Sequence, residues 1–387
     1  MDAGAKQAAL SYWYGGRDVV VAVAETLAVV DDVTVRSLGE RLIAQPSDAG
    51  SYWDLRAALT VRAAQRNPLS GLFAASWRAE INSRLGYHLG ASHHPALGDV
   101  DVSVEKLSSI GVSCYSPVVE APCVQVVIPF RDRGTNGWRA RNLISCLLAL
   151  KDQDYPRDRY MVTVVEADTE PRWKRYIEPL CDDYVFARRG GAFNKSWAVN
   201  VGVVNNQRHS EIVTILDADV LCDRAFLSRN AARLDRAGTA AHLPYRDMLC
   251  LDPVASRYAI DARVRQGQPV VPSENLRGFL VRRPPGACVW VRTELFRRVG
   301  GMDERYEGWG GEDNDFVFRV DLQGVMDHYD DDLLHLHHPP SSRLINGRGI
   351  NDHIPPLSWT PDREIGILSD GRTETQLNAR KSDGELA

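Results

Sequence analysis

The sequence predicts an α/β protein: a Rossmann-like, largely parallel central sheet preceded by a helical module. Three observations carry that prediction. From residue 121 onward, short apolar runs rich in β-branched residues alternate with stretches of helical spacing, the pattern of βαβ units and a parallel sheet. Three successive runs stop on charged groups: Arg131 and Asp132, Glu166 and Asp168, Asp217 and Asp219. Parallel strands put all three endings on one sheet edge, where open α/β folds bind their ligands. Residues 1–120 lack this alternation and read as helices.

Taken in order, Val19–Val30 is an apolar Ala/Val run, and Val33–Ala44, Tyr52–Arg66 and Leu72–Leu85 show helical spacing. Gly90–Pro95 reads as a loop, with His88, His93 and His94 as surface histidines around it. No metal or nucleophile constellation falls in this N-terminal module, which is a candidate surface for homo-oligomer formation. The catalytic domain is expected over 121–340. Val124–Ile128 is a buried strand ended by Pro129, and Arg139–Lys151 an amphipathic helix. Met161–Val165 is a strand, Arg172–Leu180 a helix, Tyr184–Phe186 a short strand, and Asn194–Val204 a helix capped by Asn194. After the strand Ile212–Leu216 come a helix at Asp223–Ala237, a strand at Ala241–Leu243 and an irregular or helical stretch at Val254–Gly278. Ala287–Val291 is a strand, Thr293–Val299 a helix stopped by Gly300 and Gly301, and a further helix runs to Gln323. Residues 341–387 are polar and rich in Gly and Pro. Their first part is expected to form a loop over the site and the last ~15 residues a disordered tail.

With 387 residues, 44% hydrophobic and 25% charged, the chain has the composition of a soluble globule with room for a large core. A net charge of −5 gives no reason to expect nucleic acid or an anionic membrane as partner. Only six of the 46 basic residues are lysine, a bias that fits a GC-rich bacterial genome. The seven cysteines (Cys114, Cys123, Cys146, Cys181, Cys222, Cys250, Cys288) never form C-x-x-C and several lie in apolar runs, so they read as reduced, mostly buried thiols of the cytoplasm. No leader-like segment opens the chain and no apolar run reaches ~18 residues, so no membrane span is expected.

The chemistry concentrates in four places. Asp217-Ala218-Asp219 ends a strand with two carboxylates at i and i+2, and an extended chain sends both to one side. Small Ala218 leaves the site open. Hard oxygen ligands there suit Mg²⁺ or Mn²⁺ carrying a diphosphate, although Asp also caps ordinary turns. Arg131 and Arg133 follow the Pro129-Phe130 strand end, where guanidinium forks suit phosphate or a base. Trp309 stands among Gly308, Gly310 and Gly311, directly before Glu312 and Asp313. A mobile indole with carboxylates behind it has the makings of an acceptor lid and a general base. His335, His337 and His338 end a strand-like run, and the first and last of these, three apart, can meet one ion in a tight turn.

Together these stretches resemble the GT-A fold glycosyltransferases, in the branch of the β-1,4-galactosyltransferases. Ile128-Pro129-Phe130-Arg131-Asp132-Arg133 is similar to that family's first strand and uridine-diphosphate turn. Phe193-Asn194-Lys195 and Asn200-Val201-Gly202 resemble its Phe-Asn-Arg…Asn-Val-Gly helix, with Lys195 at the phosphate-facing arginine. Asp217-Ala218-Asp219 matches its Asp-x-Asp, and Gly308-Trp309-Gly310-Gly311-Glu312-Asp313 its acceptor loop almost letter for letter. His335 and His338 fall at its last metal ligands, His335 in place of a Met. The polypeptide N-acetylgalactosaminyltransferases are similar over the same half. The resemblance covers roughly residues 123–340.

The resemblance implies a metal-dependent, inverting transferase that moves a hexose from a nucleoside-diphosphate sugar, a UDP-sugar, to an acceptor hydroxyl on a sugar, natural product or glycoconjugate. Asp217, Asp219, His335 and His338 would hold Mn²⁺ or Mg²⁺. Arg131, Arg133 and Lys195 would hold the phosphates or base, and Glu166 and Asp168 the nucleoside; Pro129, Phe130, Asn194, Ala218, Trp309, Gly310 and Gly311 complete the donor site. Asp313 would be the base, with Glu312 orienting the acceptor. Two alternatives stay open: a nucleotidylyltransferase, for which the Gly-rich phosphate loop is poor, and a non-catalytic sugar-nucleotide-binding protein.

Overall fold

The structure, a computed structural model, describes residues 17–45, 48–63, 69–82, 85–110, 122–308, 310–339, 344–345, 348–355 and 357–368. Cys114, Trp309 and the expected disordered tail lie outside the described residues.

Four helices open the described chain: α1 (Arg17–Ala28), α2 (Val33–Ala44), α3 (Ala49–Ala63) and α4 (Ser70–Asn82). Asp32 caps α2, its carboxylate accepting from Val35 N at 3.0 Å while its second oxygen pairs with Arg62. Val23, Leu27, Val35, Leu42, Leu55 and Leu72 pack together in a core distinct from that of the sheet. The expected helix through Leu85 ends earlier, and Leu85–Leu89 is instead a strand, β1. So short a run shows its strand character only through its partner.

The remaining strands are β2 (Val124–Phe130), β3 (Tyr160–Glu166), β4 (Asp183–Phe186), β5 (Ile212–Leu216), β6 (Val220–Leu221), β7 (Ala241–Leu251), β8 (Arg277–Arg282), β9 (Cys288–Arg292) and β10 (Met326–His335). With β1 they form one ten-stranded sheet in the order β1-β8-β7-β9-β5-β2-β3-β4, with β10 paired to β7 and β6. The half from β5 to β4 is parallel, as the βαβ pattern requires. Beyond β5 the neighbours β9, β7, β8 and β1 are antiparallel, and β7–β10 is parallel again. Strand β7 outruns the predicted Ala241–Leu243. Pro244 falls between its pairing with β9 at Ala241 and His242 and with β8 from Asp247, and in the β10 ladder it falls at the register shift between Leu243 and Tyr245, where a missing N–H is tolerated.

Besides a single turn at Lys174–Ile177, all that forms of the helix expected over Arg172–Leu180 as α-helix, the helices of this part are α5 (Trp138–Lys151), α6 (Lys195–Val204), α7 (Phe226–Leu234), α8 (Pro253–Ile260), α9 (Thr293–Arg298) and α10 (Glu312–Gln323). They cover both faces of the sheet. Val126 and Ile128 of β2 join Leu143, Leu147 and Val162 on one side, while Val127 between them joins Val199, Val213 and Phe316 on the other. That two-sided burial is why the parallel strands read as unbroken apolar runs. A Cβ at Gly202 would stand 2.7 Å from Val127 Cγ1, so the glycine is what lets α6 lie against β2 and β3. The register pairs Phe130 with Glu166 and Val127 with Ile215, which gathers the ends of β2, β3 and β5 on one edge.

Candidate active site

The site is built on that edge. Strand β5 ends at Leu216 and the next residues turn, with Val220 N donating to Asp217 O at 3.2 Å. Extended geometry therefore does not continue through Asp217-Ala218-Asp219, and the two carboxylates part company. Asp219 faces the end of β10, which arrives by pairing His335 with Val220 in β6. Leu336 N donates to Asp219 O at 2.7 Å. Arg141 and Asn142 of α5 both donate to His337 O at 3.1 Å, and His337 N donates to Ser256 Oγ of α8 at 2.8 Å. Two helices thus pin the turn that carries the histidines. His335 Nε2 lies 3.3 Å from Asp219 Oδ1 and His338 Nε2 3.0 Å from Asp219 Oδ2, and one ligand atom from each of the three falls within 4.8 Å of the others. His337, between them, turns to the ring of Trp138.

Asp217 instead reaches Lys195, whose Nζ is 2.7 Å from its Oδ1 and 2.9 and 3.1 Å from the two oxygens of Asp313. Lys195 begins α6, where Asn194 caps the helix by accepting from Trp197 N at 2.7 Å and donating to Glu304 O at 2.7 Å. Glu312 and Asp313 begin α10 behind Gly311, whose φ of 98° suits glycine. Glu312 accepts from Gly310 N at 3.0 Å.

Electrostatics follow from burial. Burial lifts Glu312 to about 7, with the Asp313 charge adding to it and Lys195 opposing. Burial also pulls Lys195 down, but Asp217, Asp313 and Glu312 outweigh it and keep the ammonium charged. Burial drives His335 to about 4, so its ring is neutral.

One cavity of about 460 Å³ joins these groups. Pro129, Phe130, Arg131 and Arg133 line it from β2, Lys195 from α6, Asp217, Ala218 and Asp219 from the turn after β5, Glu312 and Asp313 from α10, and His335 and His338 from β10 and beyond. Gly310 and Gly311 line a smaller cavity of about 110 Å³ that shares Asp217, Glu312, Asp313 and His335. Glu166, Asp168 and Asn194 line neither. Glu166 is buried against Tyr184 Oη and Trp173 N. Asp168 is fully buried and holds Arg133 and Arg172, with Arg131 Nε 3.8 Å away.

The structure adds residues that motif reading passed over. Arg139, in the first turn of α5, lines the cavity with its NH1 4.0 Å from Asp219 Oδ2. Gly191 and Ala192 form part of the wall beside Phe193 and Gly308, which the motifs already contain, as does Ile350 from the C-terminal loop expected to cover the site. Asn351 accepts from Glu307 N at 3.2 Å and donates to Gly310 O at 2.8 Å, bracketing the glycine-rich loop. Gly286 lies directly against Asp313. Arg139 carried a faint signal, a cation one turn after the Arg131 loop; the others carried none without their partners.

The six described cysteines are free. Among the described residues no helix is long and apolar enough to cross a membrane.

Residues 283–338 match the family model described as the N-terminal domain of galactosyltransferase. That segment runs through β9, the glycine-rich loop, α10 and β10 to His338. No curated protein matches the chain. Among solved structures, TarS 1–349 of S. aureus is similar with a TM-score of 0.39 at 17% identity, over 55% of this chain and 60% of that one. The mannosyltransferase PcManGT of Pyrobaculum calidifontis, a complex with GDP-Man and Mn²⁺, has a TM-score of 0.36 at 20% identity over 60% and 62%. The catalytic domain of Drosophila β1,4-galactosyltransferase 7, a complex with xylobiose, has 0.33 at 17% over 55% and 70%. The chain thus spans less than two thirds of the length of the first two. The family match therefore covers residues 283–338, the stretch that brings Glu312, Asp313, His335 and His338 to the cavity.

Proposed function

We propose that this protein transfers a hexose from a UDP-sugar to an acceptor hydroxyl on a sugar, natural product or glycoconjugate, with inversion at the anomeric carbon and with Mn²⁺ or Mg²⁺ at Asp219, His335 and His338. The observation that carries the reading is that one cavity holds a three-ligand cluster, phosphate-reading cations and the carboxylates that open α10.

The residues fit a divalent ion. Asp219 Oδ1 is buried without a hydrogen-bond partner, although His335 Nε2 is 3.3 Å away. His338 Nδ1 lies 2.9 Å from Pro339 O, which can only accept, so the proton belongs on Nδ1 and Nε2 keeps its lone pair toward Asp219. Bound there, the ion would offset charge growing on the departing diphosphate. Arg131 and Arg133, held in place by Asp168, offer forks to the phosphates. Asp313 accepts the proton of the acceptor hydroxyl as its oxygen attacks the anomeric carbon, and Glu312 orients that acceptor. With no second nucleophile assigned, displacement is direct and the configuration inverts. Residues 121–340 form the catalytic domain, joined at its sheet by β1 from the N-terminal segment, and the free thiols suit the cytoplasm.

The test is a panel of nucleoside-diphosphate sugars, scored for hydrolysis and transfer with Mn²⁺ and with chelator. UDP-sugar turnover that chelator abolishes, and that Asp313→Asn lowers by ~10²–10⁴, is expected. Nucleotide binding indifferent to metal would overturn the metal assignment, and a product with the donor's own anomeric configuration would overturn inversion.

A further inference from the structure

We propose that Lys195 is a counter-ion shared between Asp313 and the donor: the diphosphate draws it off Asp313, so that this carboxylate becomes a base only in the donor complex. The inference rests on the donor-site reading above and adds an order of events to it.

An ammonium has three N–H donors. Those of Lys195 face three carboxylate oxygens, one of Asp217 and both of Asp313. A carboxylate with both oxygens on one ammonium is engaged where it would otherwise take a proton. Lys195 is also a wall of the cavity that Arg131 and Arg133 line, so a diphosphate held by those guanidiniums comes within its compass. Around Lys195 stand three carboxylates, Asp217, Asp313 and Glu312, with no second cation among the groups acting most strongly on it. One positive charge therefore has competing claimants. A lysine suits such an exchange, since its charge is a point on a flexible four-carbon stem rather than a planar fork. Asn194 fixes the backbone from which that stem swings. The side chain can turn from Asp313 toward the phosphates without disturbing α6.

The competition has a binding signature that needs no turnover. Asp313→Asn removes the charge that retains Lys195, so UDP with Mn²⁺ should bind about tenfold tighter than to the wild type, the usual size of a coupling between contacting charges. In a Lys195→Met background the same Asp313→Asn change should leave UDP affinity unaltered. A gain that survives in Lys195→Met would mean that Asp313 merely repels the diphosphate, and would overturn the proposal. If Lys195→Met does not fold, Glu312→Gln decides. Glu312, lifted to about 7 by burial, carries the same charge one residue away once binding is measured above about pH 8, but it bonds Gly310 N. Repulsion predicts similar gains for Glu312→Gln and Asp313→Asn, whereas the exchange predicts the gain for Asp313→Asn alone. A wild type that binds no UDP in Mn²⁺ would instead remove the donor-site reading itself.

Discussion

Gly286→Ala is the most economical probe of the carboxylate that opens α10. A methyl built at Gly286 would stand 3.0 Å from Asp313 Cγ and closer still to its Oδ2, whereas ordinary contact begins at 3.4 Å. The backbone at Gly286 needs no left-handed conformation, so alanine is tolerated there. The obstacle is the end of a side chain rather than backbone, and it relieves the clash by rotating. The fold should therefore survive with a change in melting temperature of only a few degrees, the equivalent of about 1 kcal/mol. The carboxylate, however, must retreat by roughly 1 Å, and a displacement of that size costs on the order of 10²-fold in rate when a reacting group is involved. The assay is transfer at saturating donor and metal, beside a thermal melt of the same preparation. We expect kcat to fall about a hundredfold with the melt nearly unmoved. Full transfer from Gly286→Ala would show that the position of Asp313 is immaterial and would remove it as the base.

Three further outcomes follow from the geometry. His338→Ala and His335→Ala should each weaken Mn²⁺-dependent UDP binding by at least about tenfold, while His337→Ala, whose ring faces Trp138, should change it by less than about twofold; the reverse ranking would show the cluster to be wrongly drawn. Acid stability should carry the mark of His242, which is fully buried and donates from Nε2 to Asn230 Oδ1 at 2.9 Å. Burial, aided by Arg233, lowers it from 6.5 to about 3. Below pH 6.5 the unfolded chain takes a proton that the folded one refuses, so stability drops by up to about 1.4 kcal/mol per pH unit until the folded value is reached. His242→Gln keeps a donor for Asn230 without titrating, so its urea midpoint should gain on the wild type between pH 7 and 4; parallel curves would refute this. Asn351→Ala should raise the acceptor KM more than the donor KM, because Asn351 brackets the glycine-rich loop at Glu307 and Gly310, and equal effects on both would count against that role.

Much of the parallel half of the fold was legible because three of its four strands are buried on both faces and announce themselves as apolar runs: Val124–Ile128, Met161–Val165 and Ile212–Leu216 lie within β2, β3 and β5. The antiparallel half was not. Strand β1 pairs with β8 across a gap of nearly two hundred residues, and neither strand is distinctive alone. Pro244 hid most of β7, because a proline in a strand looks like a breaker unless one knows that the ladder changes partner at that point.

The site shows where local reasoning stops. Spacing alone set Asp217 and Asp219 on one side of an extended strand, but the strand ends at Leu216, before either carboxylate. The turn sends Asp219 to the imidazoles and Asp217 to Lys195. Which histidines meet Asp219 depends on β10 pairing with β6 and on Arg141, Asn142 and Ser256 holding the turn beyond, contacts no window of sequence contains. Lys195 is the sharpest case. As a motif letter it is a conservative stand-in for a phosphate-facing arginine. In the structure its three donors are divided between two carboxylates from different strand and helix ends, a geometry that a guanidinium, planar and forked, would not reproduce. Lys195→Arg is therefore not a silent exchange here: it keeps the charge while altering which carboxylate holds it.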